Sequence, residues 1–210
     1  AVSEGFAYPL PEGLASEDAA VLMCAGLTVY TALARHYNPS ANRIGILGIG
    51  GLGHLALQFA KAMGYEVTAI SSSPKKLAEA LVWGASQFVV SSDKQALGTF
   101  ENYFDLLLIT SHGPINWARL FETLKRRGKV ILIAFPDIDF SPVDVVVHEL
   151  SIIGSFVGRP EEMRQMLTFA EAHEIRPMIE LMPMSQVNQA IEKMKSNKAH
   201  YRIVLVNDLN

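Results

Sequence analysis

The chain of 210 residues is 50% hydrophobic and 19% charged, with 15 glycines and 10 prolines, a balance that excludes disordered, collagen-like and disulfide-scaffold classes. With 18 Lys and Arg against 21 Asp and Glu the net charge is −3, and no basic run interleaves with aromatics, so nucleic acid is not an expected partner. One cysteine, Cys24, cannot form an internal disulfide and stands beside eight methionines, which points to a reducing, cytoplasmic setting.

Ala1 to Gly13 carries two prolines and two glycines and reads as a loop. It lacks the basic start and apolar core of a secretory signal and has no initiator Met, so the chain is expected to be a portion of a longer polypeptide. A helix is expected from Ser16, with Ser16 as N-cap and Glu17 and Asp18 in the first turn. The longest uncharged stretches, Ala19 to Ala34 and Ile44 to Ala60, fall short of a membrane span, and no transmembrane helix is expected.

Arg43 to Leu47 is a short apolar strand closed by glycines, and Leu52, Leu55, Ala56, Phe59, Ala60 and Met63 then fall at helical spacing. Val67 to Ile70 predicts a second strand, Pro74 the opening of a helix that Gly84 stops, and Gln87 to Val90 a third strand. The second half repeats the scheme: a strand at Asp105 to Ile109, a helix over Ile115 to Arg126, and strands at Lys129 to Ile133 and Ser151 to Phe156. Six short, apolar strands joined by helical crossovers imply an α/β, doubly wound parallel sheet covered on both faces. Beyond Gly158 two amphipathic helices and a strand at Arg202 to Val206 form a largely helical appendage with no place in that sheet. The expected division is a leading loop and helix over 1–42, a nucleotide-binding domain over 43–158 and a C-terminal segment over 159–210.

Gly48-Ile49-Gly50-Gly51-Leu52-Gly53 lies between a predicted strand and a predicted helix, the context in which G-x-G-x-x-G marks a Rossmann dinucleotide site. Gly48 makes the tight turn, Gly50 admits a diphosphate close to the backbone, and Gly53 lets helix and strand approach. The helix N-terminus offers N–H donors to the anion. The competing reading is a βα turn that merely tolerates glycine. At the end of the second strand an acid would select NAD, but the chain reads Ser71-Ser72-Ser73-Pro74-Lys75-Lys76, whose hydroxyls and ammonium groups suit a 2′-phosphate. NADP(H) is the expected cofactor, against the alternative of a loop, a cap and a solvated lysine pair.

Cys24 stands in an apolar helical stretch, where a lone cysteine behaves as a small buried hydrophobe. A catalytic zinc needs three protein ligands, and neither a second cysteine nor a paired-His motif accompanies it. His54, just after the glycine turn, is expected on the surface of the first helical turn, with contact to phosphate as the alternative.

Pro9-Leu10-Pro11-Glu12-Gly13-Leu14, Cys24-Ala25-Gly26-Leu27-Thr28-Val29-Tyr30, the glycine turn, the serine run and Gly154-Ser155-Phe156-Val157-Gly158 together resemble the zinc-dependent medium-chain alcohol dehydrogenases, in particular their cinnamyl alcohol dehydrogenase branch. The resemblance runs from about Pro9 to Val206. It implies that Cys24 supplies one catalytic zinc ligand, that Thr28 approaches the nicotinamide, and that Gly48, Ile49, Gly50, Gly51, Leu52 and Gly53 hold the pyrophosphate. It further implies Ser71, Ser72, Ser73 and Lys76 at the 2′-phosphate, and Thr110, Ser155, Phe156 and Val157 at the nicotinamide half. Ala134 stands where such proteins often have glycine. The other zinc ligands, the proton relay and most of the substrate pocket would belong to an N-terminal GroES-like domain outside these residues, to which the C-terminal segment returns. The implied activity of the intact protein is hydride transfer between a primary alcohol or aldehyde and NADP(H), with zinc as Lewis acid; this chain by itself would be inactive. A homodimer paired along the strand near Ser151 to Phe156 is also implied. The rival readings are a zinc-independent quinone or enone reductase and a non-catalytic NADP(H)-binding module.

Overall fold

The computed structural model describes residues 3–208. Its centre is a parallel sheet of β1 (Arg43–Leu47), β2 (Glu66–Ser71), β3 (Gln87–Val90), β4 (Phe104–Ile109), β5 (Leu124–Leu132) and β6 (Ser151–Gly154), in spatial order β3-β2-β1-β4-β5-β6. The doubly wound expectation is met. Successive residues of a strand point to opposite faces, and both faces here are apolar: Leu106 and Leu108 of β4 join one core cluster, Leu107 and Ile109 the other.

One face is covered by a helix spanning Ser16–Ala34 and by α3 (Gly53–Ala62) and α8 (Pro160–Ala172), which contribute Leu22, Val29, Leu33, Leu55, Phe59 and Met166. The Ser16–Ala34 helix is α1 (Ser16–Val21) and α2 (Leu27–Ala34) joined by a π-helical turn at Leu22–Gly26. Its N-cap is Ala15 and not Ser16, which lies inside the first turn. With 19 residues it is, contrary to expectation, long and apolar enough to cross a membrane; 61% of that window is buried inside the protein, as in a core helix. α4 (Leu77–Val82) joins this same face through Ala80, while the other face carries α5 (Lys94–Gly98), α6 (Trp117–Glu122) and α7 (Pro142–Val147), around Phe104, Trp117 and Phe121.

The helix expected over Ile115 to Arg126 is shorter. Asn116 caps α6 through its side chain, and β5 already begins at Leu124. Pairing with β4 jumps from Phe104↔Leu124 to Leu106↔Lys129, so Lys125 to Gly128 loop out of the ladder, with Arg127 at a φ of 65°. The run of charges there reads as an exposed helix face, whereas it is a bulge.

The C-terminal segment holds α8, an unpredicted strand β7 (Ile179–Pro183), α9 (Val187–Lys195) and β8 (Arg202–Val206). β7 and β8 pair in parallel as a separate two-stranded sheet. Pro183 ends the β7 run IELMP, which masks it as a strand in the sequence.

Candidate functional site

β1 and β4 are neighbours although their crossovers run to opposite sides, which opens a crevice beyond their C-terminal ends. A cleft of about 1260 Å³ occupies it. Its walls include Gly48 to Leu52 after β1, Ser71 to Ser73 and Lys76 after β2, Thr110 after β4, and Tyr201 and Arg202 at the start of β8. No carboxylate side chain is among its lining residues, whereas Lys76, Lys94, Arg119 and Arg202 all are.

The glycine turn is held by backbone and side chain together. Gly48 adopts a φ of +96°, and a Cβ there would stand 2.7 Å from Ser111 Cβ. A Cβ at Gly53 would lie 1.9 Å from the Gly48 carbonyl oxygen, so helix α3 sits on the turn at a distance only glycine permits. Gly50 is the opposite case: nothing lies within 4 Å of its Cβ position. Thr110 secures the turn from β4, its N–H donating to Leu47 O at 3.0 Å and its hydroxyl within reach of the Leu47 and Gly48 carbonyls.

At the end of β2, Ser71 is buried and its Oγ accepts the Ser73 N–H at 3.2 Å, an ST-turn that leaves Ser72 exposed. The Lys76 ammonium sits 3.7 Å over the centroid of the Tyr201 ring and 3.9 Å from Glu79 Oε2. Burial pulls it below the usual lysine range, with Glu79 acting in the opposite sense. Arg202 donates from Nε to Gly51 O at 3.0 Å, and burial lowers its guanidinium too.

Thr28, Cys24 and Ser155 to Val157 are not among the residues lining this cleft. Thr28 is buried and gives its hydroxyl proton to Cys24 O at 2.8 Å, within its own helix. Ser155 Oγ is buried and lacks a hydrogen-bond partner, as do only Thr31 and Thr68 hydroxyls among the described residues. Phe156 is 81% exposed, and Val157 takes a φ of 42°. Two expectations are corrected here. Cys24 is exposed and not a core hydrophobe, because the π-helical turn aims it outward between buried Leu22 and Ala25. His54 is fully buried and not on the surface, bonded through both ring nitrogens to protein backbone. No group of three or more His, Cys, Asp or Glu residues that could hold a metal ion occurs among the described residues.

The sequence reading also missed cleft residues. Ser91, Ser92 and Lys94 follow β3, which the strand-end rule that singled out Thr110 would have found. Arg202 lies 151 residues from Gly51, and no local signal joins them.

A strand order of 3-2-1-4-5-6 with a G-x-G-x-x-G turn at its switch point defines a Rossmann-type nucleotide-binding domain. Comparison with known proteins narrows this. The profile described as "Zinc-binding dehydrogenase" matches residues 51–172, and the chain belongs to that family. It is 41% identical over 212 residues to a probable cinnamyl alcohol dehydrogenase of Eucalyptus globulus, covering 97% of this chain and 58% of that protein. A cinnamyl alcohol dehydrogenase structure from Sorghum bicolor superimposes with a TM-score of 0.90 at 35% identity, over 97% of this chain and 59% of the other. A Helicobacter pylori structure described as CAD complexed with NADP(H) gives a TM-score of 0.83 at 25% identity, over 97% and 59%. The chain thus spans somewhat under three fifths of the length of such relatives.

Proposed function

We propose that these residues form the cofactor-binding part of an NADP(H)-dependent alcohol dehydrogenase, whose substrates are primary alcohols and the corresponding aldehydes. The observation that carries this reading is the cleft itself: a glycine turn with open space over Gly50, a serine-lysine run beside it, and four cations with no carboxylate in the walls. A 2′-phosphorylated dinucleotide carries several negative charges on its diphosphate and its 2′-phosphate, and these walls meet them with N–H groups, hydroxyls and cations. Ser155 Oγ, buried without a partner, is a polar atom that a ligand amide would satisfy. When bound, NADP(H) supplies the nicotinamide carbon that gives or takes hydride.

The chain's own part is binding and orientation. Gly48 to Gly53 would hold the diphosphate, Ser71, Ser72, Ser73 and Lys76 the 2′-phosphate, and Thr110 secures the glycine turn. Thr28 and Ser155 to Val157 are proposed at the nicotinamide half. One exposed thiol does not make a zinc site, and the ligand set here does not fit that metal without further residues. Cys24 is proposed as this chain's single contribution to zinc in the whole protein. Homodimerisation through β6 is supported by its place at the sheet edge and by exposed Val143, Val146, Val147 and Phe156 nearby in sequence. The exposed Cys24 thiol accords with a cytoplasmic setting.

Calorimetric titration of NADPH and NADH into the chain tests the reading directly. NADPH is expected to bind more tightly by about tenfold or more, the worth of a charge-assisted contact to the 2′-phosphate. Equal affinities would overturn the cofactor assignment.

A further inference from the structure

His54 is the second residue of α3 and is fully buried, a position where an imidazole must be satisfied on both nitrogens. Nδ1 lies 3.0 Å from the Gly50 carbonyl oxygen, and Nε2 lies 3.0 Å from the backbone nitrogen of Met178. A backbone N–H can only donate, so Nε2 is the acceptor, and the neutral ring carries its proton on Nδ1, where it is donated to Gly50 O. Met178 therefore fixes the tautomer. One turn along, Gln58 clasps the same segment, donating from Nε2 to Arg176 O at 2.9 Å and accepting the Arg176 N–H on Oε1 at 3.1 Å. Trp83 and Tyr201 close over the imidazole, with ring centroids at 5.4 and 5.0 Å.

Peptide planarity turns this contact into a statement about the cleft. In a trans peptide the C=O and the following N–H point in opposite directions. The Gly50 carbonyl accepts the His54 backbone N–H at 3.1 Å as well as the ring's Nδ1–H, and the pair of bonds holds it inward and so directs the Gly51 N–H outward. Arg202 does the same for the next peptide by holding the Gly51 carbonyl, which directs the Leu52 N–H. Both Gly51 and Leu52 line the cleft. The turn's donors are thus aimed by side chains that need not touch the ligand.

We propose that His54 is a positioning residue for the diphosphate: its Nδ1–H pins the Gly50 carbonyl so that the Gly51 N–H faces the ligand, and the Met178 N–H keeps the proton on the nitrogen that does this. The proposal rests on the nucleotide reading above. Its signature is selectivity, because a ligand without a diphosphate does not use the Gly51 donor.

The test is calorimetric titration of NADPH and of adenosine 2′-monophosphate into the chain and two variants. His54→Asn places an amide donor where Nδ1 stood, and His54→Gln places an acceptor near Met178 but no donor at Gly50. His54→Gln is expected to weaken NADPH about tenfold, the worth of one aimed hydrogen bond, and to leave adenosine 2′-monophosphate within about twofold. His54→Asn is expected to stay within about threefold of the parent for both ligands. Parallel losses for the two ligands in His54→Gln, or an undiminished NADPH affinity, would overturn the proposal and leave the cofactor reading standing. A parent chain that binds neither ligand would overturn both. Nitrogen-15 imidazole spectra of the parent chain decide the matter independently of whether a variant folds: a proton on Nδ1 that shifts with NADPH and not with adenosine 2′-monophosphate is expected, and a proton on Nε2 would sink the idea.

Discussion

The two ends of the six-stranded sheet use the same charged residue types to different effect. At the N-terminal ends of the strands, Arg43 meets Glu66 at 3.2 Å, Lys125 meets Asp105 at 2.7 Å, and Arg126 and Arg127 share Glu149, each at 2.7 Å. The small hollow there, about 270 Å³, has Asp105 in its wall. At the C-terminal ends Lys76, Lys94, Arg119 and Arg202 line the cleft, while Glu79 and Glu122, which approach Lys76 and Arg119, are not in its lining. Charges balanced within the chain contribute little beyond solubility and a modest stabilisation. Arg119 is already paired with Glu122 at 2.5 Å, but Lys94 and Arg202 have no ion pair among the described residues and Lys76 stands 3.9 Å from Glu79, which leaves positive charge in the wall for an anion from outside. The difference between the ends, and not the number of cations, marks the site.

The strongest way to break the cleft end is Gly53→Ala. With a Cβ driven to 1.9 Å from the Gly48 carbonyl, overpacking is expected to cost about 3 kcal/mol and to abolish NADPH binding, as read by denaturant melts and calorimetry. A pH series sharpens the comparison on a buried group. Burial lowers His54 from 6.5 to about 4, so the unfolded chain takes up its proton first, and stability is full above about 6.5 and declines as pH falls towards 4. The loss attributable to this one residue is about 3 kcal/mol and should vanish in His54→Asn. Gly50→Ala separates binding from folding: with open space at its Cβ, stability should hold within about 0.5 kcal/mol while NADPH affinity falls about tenfold or more. Lys76→Ala should weaken NADPH by only about tenfold, since Tyr201 and Glu79 already hold part of the ammonium's interactions, and should leave NADH unchanged, since NADH has no 2′-phosphate for the lysine to meet. The smallest effect belongs to the opposite end. Hydrogen bonds from Arg126 and then Arg127 lower Glu149 to about 2, so its stabilisation is present above the usual carboxylate range and is lost as pH falls towards 2. Glu149→Gln should therefore lower the melting temperature slightly at neutral pH, less so in high salt, and leave NADPH affinity untouched. A loss of NADPH binding in Glu149→Gln would erase the distinction between the two ends.

What could be read in advance followed from short-range patterns. Strands such as FDLLLI are apolar on both faces because the sheet is covered on both, and the G-x-G-x-x-G run fixes its own turn through Gly48 and Gly53. The serine-lysine run likewise lies where a strand ends. The rest depended on contacts distant in sequence or on a single irregular hydrogen bond. His54 reads as a surface residue until Met178, 124 positions away, is brought to its ring. The bulge at Lys125 to Gly128 and strand β7 were hidden for a related reason, since one interrupts a ladder and the other pairs only with the distant β8.

The π-helical turn at Leu22–Gly26 has a consequence for how the chain tolerates change. The Leu27 N–H reaches back five residues to Leu22 O, which amounts to one residue more than an α-helix would hold in the same span. Deleting one residue there would restore ordinary winding over the same span and leave the segments on either side close to their present phase, whereas a deletion in the regular turns of α1 would rotate everything before it by about 100° and shift it by about 1.5 Å. Ala19 and Val21 on one side and Thr28 to Leu33 on the other would, in the first case, keep their places in the core. The single long helix therefore carries a slack residue at Leu22–Gly26, and a one-residue deletion there should be far less damaging than one in the regular turns of Ser16–Val21 or Leu27–Ala34.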